Sequence, residues 1–188
     1  MRLTRWRTRV GMLALALALA LAGAAVAQTA QRLEADTLEV LRCTSGDATV
    51  ATLAADGSAE DGAFTGDRSL QWHDVARPGD VLELALPAMA KGRYAITVQV
   101  ARYRTYGIHQ FLVNGAPLGA PVDLFGNPGH DIVTPFTVNL GEAELNDGSN
   151  RLGLRLVGTN PATVMANHGA GLDWIRLTPV ATAPKVKR

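Results

Sequence analysis

RYAITVQVARYRTYGIHQFLVNGAPLG, Arg93 to Gly119, decides the fold. Its first part alternates: Tyr94, Ile96, Val98 and Val100 fall on one side, Thr97 and Gln99 on the other. Successive side chains of a strand point to opposite faces, so this pattern is a strand with one buried face. The last part reads Phe111-Leu112-Val113, then Asn114-Gly115, then an apolar return. Asn-Gly between apolar runs is a hairpin signal, because both turn residues must accept positive φ. Between these strands lie two tyrosines, two arginines and a histidine within eight residues. That cluster reads as a loop at one end of a sheet, where binding residues concentrate, or as a loop packed by its own tyrosines.

The same alternation recurs on both sides. Leu82, Leu84 and Leu86 share a face, as do Phe136, Val138 and Leu140, and Leu152, Leu154 and Leu156 with Arg151 and Arg155 opposite. LDWIRLTP alternates again near the end, while RPGD (77–80), AKGR (90–93) and NDGSN (146–150) supply turns. Short strands at roughly ten-residue spacing predict an all-β protein, a single jelly-roll sandwich of antiparallel strands, with a closed barrel as the other architecture. The Gly-, Ala-, Ser- and Asp-rich stretch from Cys43 to Ser69 is expected to be loops with one short strand near Thr49 to Leu53.

The N-terminus reads differently. Arg2, Arg5, Arg7 and Arg9 precede a Leu/Ala run, which ends in small residues at Ala25 and Ala27. Basic, apolar and small-residue regions in that order describe a secretory signal peptide, cleaved after Ala27. A spanning helix needs about 20 apolar residues, more than Met12 to Ala27 supplies. The expectation is a leader over 1–27, a sandwich over 28–179 and a disordered basic tail over 180–188, in a secreted or periplasmic protein. The leader holds four of the 18 basic residues and none of the 17 acidic ones, so the remainder carries 14 against 17, a net charge of −3. That body lacks the basic stripe of a nucleic-acid binder. Cys43 is the sole cysteine, so the fold has no intramolecular disulfide, and the thiol reads as a small buried apolar group.

Chemistry is sparse. His73, His109, His130 and His168 stand singly, without metal-ligand spacing, and there is no Gly-x-Ser-x-Gly elbow. Most carboxylates lie in turn contexts, where Asp and Asn bond nearby backbone groups. Two places differ. Glu34 and Asp36 stand two apart, on one face if the segment is a strand. Asp173 would share a face with Ile175 and Leu177, toward the core, and a buried carboxylate needs a partner. A calcium ion, an arginine or backbone N–H groups could serve, and a calcium bridging first and last strands suits hard oxygen ligands. Trp174 alternates away from the core. An aromatic platform with planar polar groups would hold a sugar ring, and Arg104, Tyr106, His109 and Trp174 are the candidate ligand-binding residues.

Tyr106-Gly107, Asn114-Gly115, Asp123-Leu124, the Gly148 to Leu152 strand and Gly171-Leu172-Asp173 together resemble galactose-binding-like β-sandwich modules. The likeness runs from Asp80 to Leu177 and is nearest to the small module that follows the catalytic domain in some bacterial fructofuranosidase-related proteins. It implies a jelly roll of the carbohydrate-binding type, with Glu34 and Asp173 near the positions that hold a structural calcium in related modules. The catalytic domain of those proteins is not in this sequence, so their activity is not carried over. The expectation is a secreted, non-catalytic carbohydrate-binding module. The alternative is a structural or interaction subunit that packs on a separately encoded envelope or extracellular enzyme.

Overall fold

A computed structural model describes residues 29–53, 57, 59–126, 129, 131–163 and 167–181. The leader over 1–27, His130 and residues 182–188 of the tail lie outside the described residues. Among the described residues, twelve strands form two antiparallel sheets of six. The first contains β10 (Thr134–Leu145), β6 (Gly92–Arg102), β12 (Ala170–Pro179), β4 (Arg68–His73) and β3 (Asp47–Thr52) in that order, and β1 (Gln31–Glu34) also pairs with β12. The second runs β2 (Val40–Cys43), β5 (Val81–Met89), β11 (Gly148–Gly158), β7 (Ile108–Val113) and β8 (Ala116–Pro117), with β9 (Val122–Asp123) also on β7. This is the jelly-roll sandwich, its first and last strands side by side.

The alternating runs determine what lies between the sheets. Ile96, Val98 and Val100 of β6 face Leu84 of β5 and Leu152, Leu154 and Leu156 of β11 across one apolar core. Trp72 of β4 is fully buried there and donates its indole N–H to the Ser45 carbonyl at 2.8 Å, so its one polar atom is satisfied. Truncating a residue such as Leu154 to Ala would cost about 2–5 kcal/mol, from lost transfer energy and the cavity left behind. Asn114 and Gly115 both have positive φ, 51° and 84°, and close the β7–β8 hairpin. Within the Cys43 to Ser69 stretch β3 spans Asp47–Thr52, starting two residues and ending one residue earlier than expected.

Two differences from the alternation bear on the site. β1 ends at Glu34, and Ala35–Thr37 form a 3-10 turn, so Asp36 leaves the strand and pairs with Arg68 at 3.3 Å. Glu34 and Asp36 therefore do not share a strand face. In β12 the register against β6 slips between Leu172 and Trp174: Leu172 stands opposite Val100 and Trp174 opposite Gln99. Asp173 is the extra residue of a β-bulge. The bulge keeps Leu172 and Ile175 on the core side, and Asp173 turns outward to Gln99 instead of inward as the simple alternation predicts.

Candidate functional site

The loop Tyr103–Gly107 folds back over the outer face of the first sheet, where Ser69, Gln71 and His73 alternate with the core residues Leu70 and Trp72. A cleft of about 230 Å³ opens between loop and sheet. Gln71, His73, Tyr103, Thr105, Tyr106 and Asn167 line it, and Leu53 and Val133 give it apolar walls. Its floor is fixed by a buried relay: the Tyr106 hydroxyl donates to Gln71 Oε1, and Gln71 Nε2 donates to Ser69 Oγ at 2.5 Å. Gly171, beside Gln71 in the register of β12 and β4, makes room for it. A Cβ there would lie 2.5 Å from Ala101 Cβ and 2.7 Å from Gln71 Nε2.

The rim is held from the side. Tyr103 and Tyr106 meet edge to face with centroids 5.6 Å apart. The Tyr103 hydroxyl donates to Asp131 Oδ1 at 2.9 Å, and Arg104 forms an ion pair with the same oxygen. Burial, helped by Asp131, raises the Tyr103 phenol above its ordinary pKa, and burial raises that of Tyr106 further. Both hydroxyls are therefore neutral donors at physiological pH. The Asn167 amide is tied to Asp74, accepting its backbone N–H at 3.1 Å, so this wall is set before any ligand arrives.

The four candidate ligand residues thus separate. Tyr106 lines the cleft, but its side chain is buried and its hydroxyl is committed to Gln71. Arg104 stands at the rim beside Tyr103. His109 is on β7, fully buried, with Nε2 between the carbonyls of His168 at 3.1 Å and Gly169 at 3.0 Å. Two carbonyls can only accept, so Nε2 carries the proton. Burial lowers its pKa to about 4, leaving a neutral imidazole that fastens the segment before β12. Trp174 lies elsewhere on the outer face, between Arg32 and Arg176. Sequence reasoning placed Tyr103 in the loop cluster but missed Gln71, Thr105 and Asn167 as its partners in the cleft. Gln71 carried a signal in its alternation with Leu70 and Trp72, which places an amide on the outer face.

Glu34 and Asp173 do come together, close enough for the Glu34 charge to raise the Asp173 pKa, although burial is the larger cause. Asp173 accepts from the Thr65 backbone N–H at 3.2 Å, the Thr65 hydroxyl at 3.3 Å and Gln99 Nε2 at 2.8 Å. Arg32 is bonded to Glu34 Oε1 at 3.0 Å and donates to the Thr65 hydroxyl, which in turn donates to Asp173. Glu34 Oε2 is buried without a partner among the described residues, an acceptor that a hard cation could use. No cluster of three His, Cys, Asp or Glu side chains suited to a metal occurs among the described residues, so a calcium ion would need carbonyls or water to complete its shell.

No family model matches the chain, and no curated protein matches its sequence. Solved structures match its fold. A Paenibacillus xanthan lyase aligns with TM-score 0.65 at 19% identity, over 84% of this chain and 15% of the lyase. A family 35 carbohydrate-binding module from Clostridium thermocellum aligns with TM-score 0.51 at 17% identity, over 81% of this chain and all of the module. A Podospora anserina mannanase described as GH26-CBM35 aligns with TM-score 0.52 at 17% identity, over 84% of this chain and 29% of the enzyme. The chain shares its β-sandwich fold with these structures. It spans a small part of the two enzymes and the full length of the isolated module.

Proposed function

We propose that this chain is a non-catalytic carbohydrate-binding module that works outside the cytoplasm. The observation that carries the reading is the fold, shared with a family 35 carbohydrate-binding module along that module's entire length. The cleft supports it: a tyrosine edge, amides and an imidazole converge on a space of about 230 Å³, at the loop end of the sandwich. Tyr103 packs against a sugar face, and Thr105 and His73 offer hydrogen bonds to its hydroxyls. Arg104 braces Tyr103 through Asp131. Among the described residues no helix is long and apolar enough to cross a membrane, and the Arg-then-apolar leader is the export signal of this reading.

Affinity electrophoresis through gels of neutral plant and microbial polysaccharides tests the cleft. One or more gels should retard the protein, Tyr103→Ala should remove that retardation while staying folded at a somewhat lower melting temperature, and no reducing sugar should be released. Passage through every gel at the rate of an inert control would overturn the reading. A calcium ion at Glu34 and Asp173 belongs to the same proposal: calcium should raise the melting temperature relative to EDTA in the native protein and not in Glu34→Gln.

A further inference from the structure

A second surface lies on the outer face of the first sheet, away from the cleft. Two cross-strand rows span four adjacent strands there. Arg32 stands opposite Arg176, Arg176 opposite Thr97, and Thr97 opposite Asn139. In the neighbouring row Glu34 stands opposite Trp174, Trp174 opposite Gln99, and Gln99 opposite Thr137. At the spacing of adjacent strands each row is about 14 Å long.

The arginines are the unusual feature. Like charges directly opposite each other on paired strands repel. Here both guanidinium groups stack near one indole, 5.0 Å and 5.3 Å from the Trp174 ring centre. Trp174 is only 8% exposed and lies outside the central apolar cluster, so it serves the arginines and not the core. Arg32 is balanced by Glu34. Arg176 is exposed and has no carboxylate partner among the described residues. Of the two acids of the patch, Asp173 is 2% exposed with its oxygens already hydrogen-bonded, and Glu34 is half-buried and paired with Arg32. Arg176 is therefore the cation left to face solvent without an acid paired to it. A guanidinium beside an aromatic ring still presents N–H groups that can grip a planar oxyanion with two parallel bonds.

We propose that this row is an oxyanion-binding surface, with Arg176 as its anchor and Arg32 beside it, for the carboxylate or sulfate groups of an acidic polysaccharide. Thr97 and Asn139 continue the row with hydroxyl and amide groups suited to the uncharged parts of the same chain. The proposal does not depend on the cleft.

Affinity electrophoresis in EDTA, through gels of polygalacturonate, dextran sulfate and unmodified dextran, tests it. Polygalacturonate marks a carboxylate ligand and dextran sulfate a sulfate ligand. The native protein should be retarded by at least one acidic polymer more strongly than by dextran, which reports any binding of neutral polymer at the cleft. Arg176→Gln should weaken that binding about tenfold, the scale of one charge-assisted hydrogen-bonded contact. Arg93→Gln, which removes a cation already paired with Glu142 on the same sheet, should leave it unchanged. Tyr103→Ala should also leave it unchanged, which separates this surface from the cleft. Equal retardation of Arg176→Gln and the native protein, or equal losses in Arg176→Gln and Arg93→Gln, would overturn the proposal.

Discussion

His109 and Asp173 are both buried ionisable groups pushed toward their neutral forms by loss of water, yet they work in opposite directions. His109 lies on the second sheet, facing Trp72 across a 5.7 Å ring contact, with carbonyls as its hydrogen-bond partners among the described residues. It is neutral at physiological pH and holds its neighbours as a donor. Asp173 sits in a bulge on the outer face, among donors that favour its charge against a burial that opposes it. In both cases burial outweighs hydrogen bonds that favour the charged form, so it opposes protonation of the imidazole and favours protonation of the carboxyl. The same fold therefore has two titrations whose effects on stability oppose each other.

The largest effect should come from the histidine. Its folded pKa of about 4 lies below the ordinary value of 6.5. Its contribution to stability is complete above 6.5 and is lost as pH falls toward 4, because the unfolded chain takes up the proton first. The separation corresponds to about 3 kcal/mol. Urea unfolding between pH 7 and pH 4 should show a loss of that order in the native protein. The slope should be flatter in His109→Gln, whose amide can still donate to the two carbonyls. An unchanged slope in that variant would remove His109 as the source.

An intermediate effect is expected at the cleft floor. Tyr106→Phe leaves Gln71 Oε1 buried without its donor, at a cost of about 1–3 kcal/mol in chemical denaturation. Ser69→Ala, which removes the acceptor of Gln71 Nε2, should cost a similar amount, and the double variant less than the sum, because both break one relay. Simple additivity would show that Tyr106 and Ser69 act independently.

Much of this architecture could be read from alternation alone. Leu82, Leu84, Leu86, Ile96, Val98, Val100, Leu152, Leu154 and Leu156 all lie on the core side, and the Asn114-Gly115 hairpin is where its turn chemistry placed it. These are local signals with a fixed period. The loop Tyr103–Gly107 was recognisable as a loop, but its burial was not, because nothing local says that it folds onto Gln71 across 35 residues of chain. His109 was grouped with that loop although it begins the next strand's buried side. The direction of Asp173 was misread for a different reason. A bulge inserts one residue and reverses every face beyond it, and its position is set by the partner strand. Glu34 and Asp173 were paired from the adjacency of first and last strands, a rule of topology that their neighbours Arg32 and Thr65 do not announce in sequence.

The smallest effect, and the one that most sharpens the contrast with His109, belongs to Asp173. Its folded pKa is raised, so the folded state holds the proton more tightly than the unfolded chain does. The contribution of this carboxyl is most favourable in acid and declines as pH rises through the folded pKa, the reverse of the histidine. Asp173→Asn keeps an acceptor for the Thr65 N–H and removes the charge. In EDTA at pH 7 its stability should lie within about 1 kcal/mol of the native protein, because lost charge-assisted bonds are offset by the relieved burial. Any advantage of the variant should shrink as pH falls through the raised pKa of the native carboxyl. With calcium added the order should change: an ion held by Glu34 and Asp173 stabilises the native protein and not the variant. A variant several kcal/mol less stable in EDTA would mean that the ionised carboxylate holds Thr65 and Gln99 in place even without a cation, and the bulge would then be a charged joint of the fold and not a tolerated burial.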